Sequence, residues 1–200
     1  MSKKIVAIVG SYRKHGVTDT AVDAVLEAAR EKGARTNKIY LIEQHIEFCT
    51  NCRECMQAPG NERGICVQKD DLQAVLEEIE SADALILSSP VNCGNVTAIF
   101  RRFMERLVGY AWWPWGRPTP ATRQRSSGKR AVLISSSAMP SLMMTMFTGA
   151  PRALRQTAGI FGAKVVGKFW IGLAARSAHY RFSDSELARA RRLGSRLAAS

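Results

Sequence analysis

Two groups of residues in this chain have types and spacings that could do chemistry. The first is Gly10-Ser11-Tyr12-Arg13-Lys14-His15-Gly16-Val17-Thr18, which follows the apolar run Ile5–Val9 and precedes a helical pattern. A buried strand that turns through glycine, hydroxyl and arginine residues into a helix start is an anion site. The helix offers unpaired N–H groups and the positive end of its dipole. Ser11 and Thr18 can add hydroxyl donors and Arg13 a forked cation, with Val17 at the first helical turn. A phosphate is the expected guest.

The kind of phosphate ligand can be narrowed. A Walker loop requires Gly-Lys-Ser/Thr at its end, and Gly16 is followed by Val17. The dinucleotide fingerprint requires Gly-x-Gly-x-x-Gly, and position 12 is Tyr. Both common nucleotide motifs therefore fail.

The second group is Cys49, Cys52 and Cys55 in C-x2-C-x2-C spacing, with Cys66 after ten further residues. Three thiolates on one short loop, plus a fourth, suit a cubane 4Fe–4S cluster. A four-thiolate zinc site, a redox dithiol, or thiols without a metal are the competing readings. Cys93 is a separate thiol, expected to be packed. His15, His45 and His179 form no metal-binding pattern and no Ser–His–Asp set.

These groups must be positioned by regular elements. Strand patterns occupy 4–9, 36–42, 83–88, 130–136 and 164–171. The first, third and fourth are nearly continuous apolar runs, as in strands covered on both faces. Helical faces alternate with them: Val22, Val25, Leu26, Ala29; then Leu72, Val75, Leu76, Ile79; then Val96, Ile99, Phe100, Phe103, Leu107. A fourth helix is expected over about 150–162. Ser183-Asp184-Ser185-Glu186 is a capping-box pattern opening a C-terminal helix over 183–198. Alternating strands and helices predict an α/β fold with a doubly wound parallel sheet. Residues 1–200 read as a single domain with a cysteine-rich loop at 49–66. The long connection 110–129 carries Trp112, Trp113 and Trp115, which suit either a cover over an aromatic ligand or a dimer interface.

Composition sets outer bounds. Hydrophobic residues make up 46% of the 200, ordinary for a globular protein. No apolar run is long enough to span a bilayer, and the short stretch after Lys3 and Lys4 reads as a first strand rather than a signal peptide. A cytoplasmic location and no membrane partner are expected. Charge is uneven: residues 1–100 carry a net of −3 and residues 101–200 a net of +15. The basic half raises nucleic acid as a partner, but no zinc finger, RNP-type motif or arginine-rich tract accompanies it. A solvated surface that steers anionic ligands is favoured.

The loop G-S-x-R-x-x-G-x-T resembles the FMN-phosphate loop of the NADPH-dependent FMN reductase and iron–sulfur flavoprotein group of the flavodoxin superfamily. Ser88-Ser89-Pro90-Val91-Asn92-Cys93-Gly94-Asn95-Val96-Thr97 resembles the family segment S-P-V-Y-x-G-x-V-S, with Asn92 at the usual Tyr position. The helix after it, Arg101-Arg102-Phe103-Met104-Glu105-Arg106, is similar to the family pattern Lys-x-Phe-x-Asp-Arg. The compact cysteine motif followed by Asp70-Asp71 resembles iron–sulfur flavoproteins. The spacing to Cys66 is longer than is usual there. The likeness runs from residue 4 to about 171.

This resemblance implies the flavodoxin strand order 2-1-3-4-5, with the ligand beyond the carboxyl ends of the strands. It implies FMN held at its phosphate by Ser11, Arg13, Val17 and Thr18. Pro90, Val91, Asn92, Gly94 and Asn95 would line the ring, with Ser136 and Ser137 on the far wall. Cys49, Cys52, Cys55 and Cys66 would ligate a 4Fe–4S cluster. The implied function is an FMN-dependent oxidoreductase passing electrons from NAD(P)H to a flavin, quinone or protein acceptor, as a homo-dimer or tetramer. The alternative is a non-enzymatic FMN and iron–sulfur carrier partnered by a ferredoxin. Methionines 143, 144 and 146 with Phe147 could form a lid, core filler or an interface.

Overall fold

The computed structural model describes residues 2–123, 127–177 and 180–199. His179 lies outside the described residues. Strands β1 (Lys4–Val9), β2 (Arg35–Tyr40) and β3 (Ala84–Ser88) precede a small hairpin of β4 (Ala111–Trp112) and β5 (Ala121–Thr122). Strands β6 (Arg130–Ser136) and β7 (Lys164–Ile171) follow. The helices are α1 (Val17–Glu31), α2 (Leu72–Glu80), α3 (Ala98–Glu105), α4 (Ser141–Phe147), α5 (Ala150–Ile160) and α6 (Asp184–Ala198).

The main sheet is parallel, in the order β2-β1-β3-β6-β7. Counting its five strands alone, this is the expected 2-1-3-4-5 order. Their alternating side chains divide the core into two layers. Ile5, Ala7 and Val9 pack with α1 and α6, whereas Val6 and Ile8 pack with α2, α3 and α5. Phe100, Phe103 and Phe161 fill the second layer and are fully buried. Each such side chain contributes about 1.5–3 kcal/mol by leaving water.

Several expectations shift at their edges. β2 stops at Tyr40 and gives way to a 3-10 turn over Leu41–Glu43. The apolar face read through Leu107 is α3 followed by a 3-10 turn over Arg106–Tyr110. α4 was not expected as a helix; it buries Met144 and leaves Leu142, Met146 and Phe147 exposed. The capping box at α6 is realised in full, with Ser183 and Glu186 each accepting the other's backbone N–H.

Part of the basic second half is structural. Arg189 and Arg196 donate to the Lys168 and Val166 carbonyls of edge strand β7, at 2.9 Å each. Guanidinium groups on an edge strand blunt it against unwanted pairing. Arg130 donates to the carbonyls of Arg196 and Ala199 at the C-terminal end of α6, where a cation opposes the helix dipole.

Candidate functional site

The loops at the carboxyl ends of β1, β3, β6 and β7 enclose a cleft of about 480 Å³. Small-molecule sites occupy roughly 300–1,000 Å³. Ser11, Arg13, Val17, Thr18, Pro90, Val91, Asn92, Ser136 and Ser137 all line it. Gly94 and Asn95 do not. They form the turn behind the lining residues, where Asn92 and Asn95 exchange backbone hydrogen bonds of 2.8 and 2.9 Å. Gly94 adopts φ +73° there, a conformation that favours glycine. Its carbonyl accepts the Gly149 N–H at 2.8 Å, tying the turn to α5. Cys93, expected to be packed, is exposed in the same turn at φ +45°. A tight turn has no room to tuck its tip residue inward.

The first wall is rigid before any ligand arrives. Ser11 Oγ accepts the Arg13 N–H and donates to the Arg13 carbonyl, both at 3.1 Å. His15, at φ +58°, donates its N–H to Asp19 Oδ2 at 2.7 Å. Asp19 is fully buried and also meets Lys38 Nζ at 2.9 Å and the Tyr40 hydroxyl at 3.2 Å. Burial alone would lower the Lys38 pKa, but its bonds to Asp23, Tyr40 and Asp19 raise it, so the ammonium stays charged. Gly16 occupies the N-cap of α1 with no side-chain cap bond. The first turn of α1 therefore keeps its anion-seeking character beside Arg13.

Two of the expected hydroxyls meet: Thr18 Oγ1 and Ser136 Oγ lie 2.7 Å apart and are buried, one donating to the other. Three residues not singled out as site residues from the sequence complete the frame. Ser89 Oγ accepts the Thr97 N–H at 3.0 Å, Thr97 Oγ1 donates to the Gly10 carbonyl at 2.6 Å, and Ser135 Oγ donates to the Ser89 carbonyl at 2.7 Å. The Val91 N–H donates to the Ser136 carbonyl at 2.8 Å. Tyr12, Ala174 and Ser177 also line the cleft and were missed. The only available signal for the last two was their place just after a strand.

The four cysteines gather around a second, much smaller cavity of about 20 Å³, which Arg106 also lines. Burial, then neighbouring Cys66, Cys49 and Cys52, push the Cys55 thiol up. The long spacing to Cys66 is absorbed by a loop that returns at Gly64. A Cβ there would sit 1.7 Å from the Cys55 carbonyl oxygen, so only glycine lets the two strands of the loop touch. The Gly64 N–H donates to the Gly109 carbonyl at 2.9 Å. As they stand, no three His, Cys, Asp or Glu among the described residues are placed to hold a metal ion.

Asp70 and Asp71 fix the approach to this loop. Asp71 accepts the His45 N–H at 2.7 Å and Asp70 the Glu47 N–H at 2.8 Å. Burial would raise the Asp70 pKa, yet the Arg106 guanidinium and the Glu47 and Leu72 N–H groups hold it below the ordinary carboxylate value.

The tryptophans lie against the cysteine loop. Arg53, in left-handed conformation between two of the cysteines, lies 4.2 Å from the Trp113 ring and 4.1 Å from the Trp115 ring. Its Nη2 donates to the Trp113 carbonyl at 2.6 Å. Trp112 Nε1 donates to the Gln57 carbonyl, and buried Arg123 donates to the carbonyls of Ala58 and Gly60. The long connection is thereby fastened onto the cysteine loop.

Comparison with known proteins agrees with this architecture. An iron-sulfur flavoprotein of Archaeoglobus fulgidus is 36% identical over 111 residues, 56% of this chain and 48% of the relative. The chain spans about half the length of the curated relatives it matches. An azoreductase from Bacillus anthracis superposes with a TM-score of 0.70 at 14% identity, covering 98% of this chain and all of its own. A flavodoxin from the domain Archaea gives 0.57 at 14% identity, covering 98% and 96%. These solved structures speak for the fold. The family model of the NADPH-dependent FMN reductases matches residues 3–176, and the chain belongs to that family.

Proposed function

We propose that this protein is an FMN-dependent oxidoreductase that takes electrons from NAD(P)H and passes them to a flavin, quinone or protein acceptor. The observation that carries the reading is the convergence of residues from three loops, identified from sequence, on one cleft. Bound FMN would supply hydride acceptance and electron release. The chain's own residues bind and orient it. Arg13 and the uncapped first turn of α1 receive the phosphate, with Ser11 shaping the loop and Val17 and Thr18 at its base. Pro90, Val91 and Asn92 form one wall for the ring, stiffened by the turn at Gly94 and Asn95. Ser136 and Ser137 form the opposite wall.

Cys49, Cys52, Cys55 and Cys66 are proposed to hold a 4Fe–4S cluster, a one-electron carrier. The donor set supports this: four thiols, with no imidazole or carboxylate lining their cavity. The cavity is smaller than a cubane, so the cysteine loop must rearrange to take one. The relatives described as iron-sulfur flavoproteins lean the same way. One flavodoxin-like domain, a cytoplasmic location and a homo-dimer or tetramer complete the proposal. The exposed apolar residues of α4 favour such an assembly. No described helix is long and apolar enough to cross a membrane.

The test is anaerobic NADPH and NADH oxidation by FMN-loaded protein with a quinone as acceptor. Turnover that rises with FMN occupancy is expected. No turnover, together with rapid electron exchange with a ferredoxin, would overturn the reductase reading in favour of a carrier.

A further inference from the structure

We propose that Arg106 is a positioning residue for Cys66 that makes the bound cluster easier to reduce. The proposal rests on the cluster reading above. Arg106 Nη2 lies 3.4 Å from Cys66 Sγ, within hydrogen-bond reach for sulfur. Its other nitrogen, Nη1, is anchored to Asp70 Oδ2 at 2.6 Å, the Glu47 carbonyl at 2.7 Å and Gln68 Oε1 at 3.2 Å. The Arg106 and Asp70 side chains are each only 1% exposed.

Stability alone does not account for this pair. A buried ion pair recovers little more than its desolvation cost, and apolar residues of similar volume do as well or better. Arg106 Nε is also buried without a partner, a further penalty that a packing role would not require. What the arrangement achieves is a fixed cation against one thiol. Cys66 is the cysteine that most needs it. It sits in irregular chain outside the compact motif, and Arg106 reaches it from the turn after α3.

The electrostatic consequence has a definite sign. One-electron reduction adds one negative charge to a thiolate-bound cluster. An N–H donor at a ligating sulfur favours the more negative state and raises the potential. The final Arg of the helix pattern Arg101–Arg106, unused by the FMN cleft, thereby acquires a role.

The experiment is a potentiometric titration, followed by electron paramagnetic resonance with dithionite as reductant, on full-length protein loaded with FMN, iron and sulfide. Two variants are compared with wild type. The double variant Arg106→Gln/Asp70→Asn removes both buried charges, so it avoids an orphaned carboxylate. Arg106→Lys keeps the charge but loses the fork that spans Asp70 and Cys66. The double variant should be at least tenfold harder to reduce, about 59 mV lower for one electron. Arg106→Lys should shift in the same direction, and FMN content should stay at the wild-type level in both. A wild-type potential in whichever variants fold would overturn the proposal while leaving the cluster reading intact. Wild-type protein that takes up no iron or sulfide would overturn the cluster reading itself, and this proposal with it.

Discussion

Thr18 and Ser136 close the cleft against each other: their hydroxyl oxygens are 2.7 Å apart across 118 residues of chain. One lies in the first turn of α1 and the other ends β6, so the bond joins the base of the phosphate loop to the Ser136 wall of the proposed flavin site. Thr18→Val would leave the Ser136 hydroxyl buried and unpaired, costing about 1–3 kcal/mol. Thr18→Val/Ser136→Ala, which removes both partners, should recover most of that loss. Urea unfolding measures both; additive losses would mean that the two hydroxyls are not partners.

Arg13 is the side-chain cation proposed to receive the FMN phosphate. A charge-assisted hydrogen bond contributes about 1.5–3 kcal/mol, so Arg13→Ala should weaken FMN binding roughly 10- to 100-fold. Riboflavin, which lacks the phosphate, should bind the variant and the wild type alike. Equal loss for both ligands in a fluorescence titration would place Arg13 at the ring instead.

Gly64 allows the loop to return Cys66 to the other cysteines. A Cβ at 1.7 Å from the Cys55 carbonyl oxygen cannot be accommodated without moving backbone. Gly64→Ala should reduce iron incorporation severalfold while FMN affinity, set in a separate cleft, is retained. Metal analysis and FMN titration on one sample separate the two effects.

Arg53 lies against both Trp113 and Trp115, and exposed contacts of this kind contribute about 0.5–1 kcal/mol each. Arg53→Ala should free the long connection. Limited proteolysis should then cut near Pro114–Arg117 several times faster than in wild type. An unchanged cleavage rate would show that the backbone bonds to Gln57 and Met56 hold the loop unaided.

The capping box of α6 predicts a pH dependence. Burial would raise the Glu186 pKa, but the Tyr180 hydroxyl and Ser183 lower it below its ordinary 4.5. Folding therefore gains stability from ionised Glu186 that is fully present above pH 4.5 and lost as pH falls through the lower folded value. The stability gap between wild type and Glu186→Gln should be present at neutral pH and vanish in acid. Ser183→Ala should cost about 1 kcal/mol by loss of the cap. Thermal unfolding at several pH values checks both.

Much of the architecture was legible because the signals are local. Continuous apolar runs at Ile5–Val9 and Leu85–Leu87 mark strands buried on two faces, and Ser183 with Glu186 marks a helix start. The site loops were legible because they fall at strand ends. What escaped the sequence was who bonds to whom across the chain. Thr18 and Ser136 read as ligand donors, and no local pattern announces the bond between them. Arg53 and Asp19 carried no motif, and the helix pattern that ends at Arg106 did not give its partners; their roles come from burial and from partners 19 to 60 residues away. The tryptophans were ambiguous for the same reason, since a cationic partner inside the cysteine motif leaves no periodicity to read.

We propose that one chain carries both a flavin and an iron–sulfur cluster. The most direct test is an anaerobic visible spectrum of protein purified without added cofactor, before and after dithionite, with iron and acid-labile sulfide assayed on the same sample. The account predicts flavin bands over a broad absorption that bleaches on reduction, with iron and sulfide present together. Flavin bands with neither iron nor sulfide, persisting after anaerobic reconstitution with both, would contradict it and leave a simple FMN reductase.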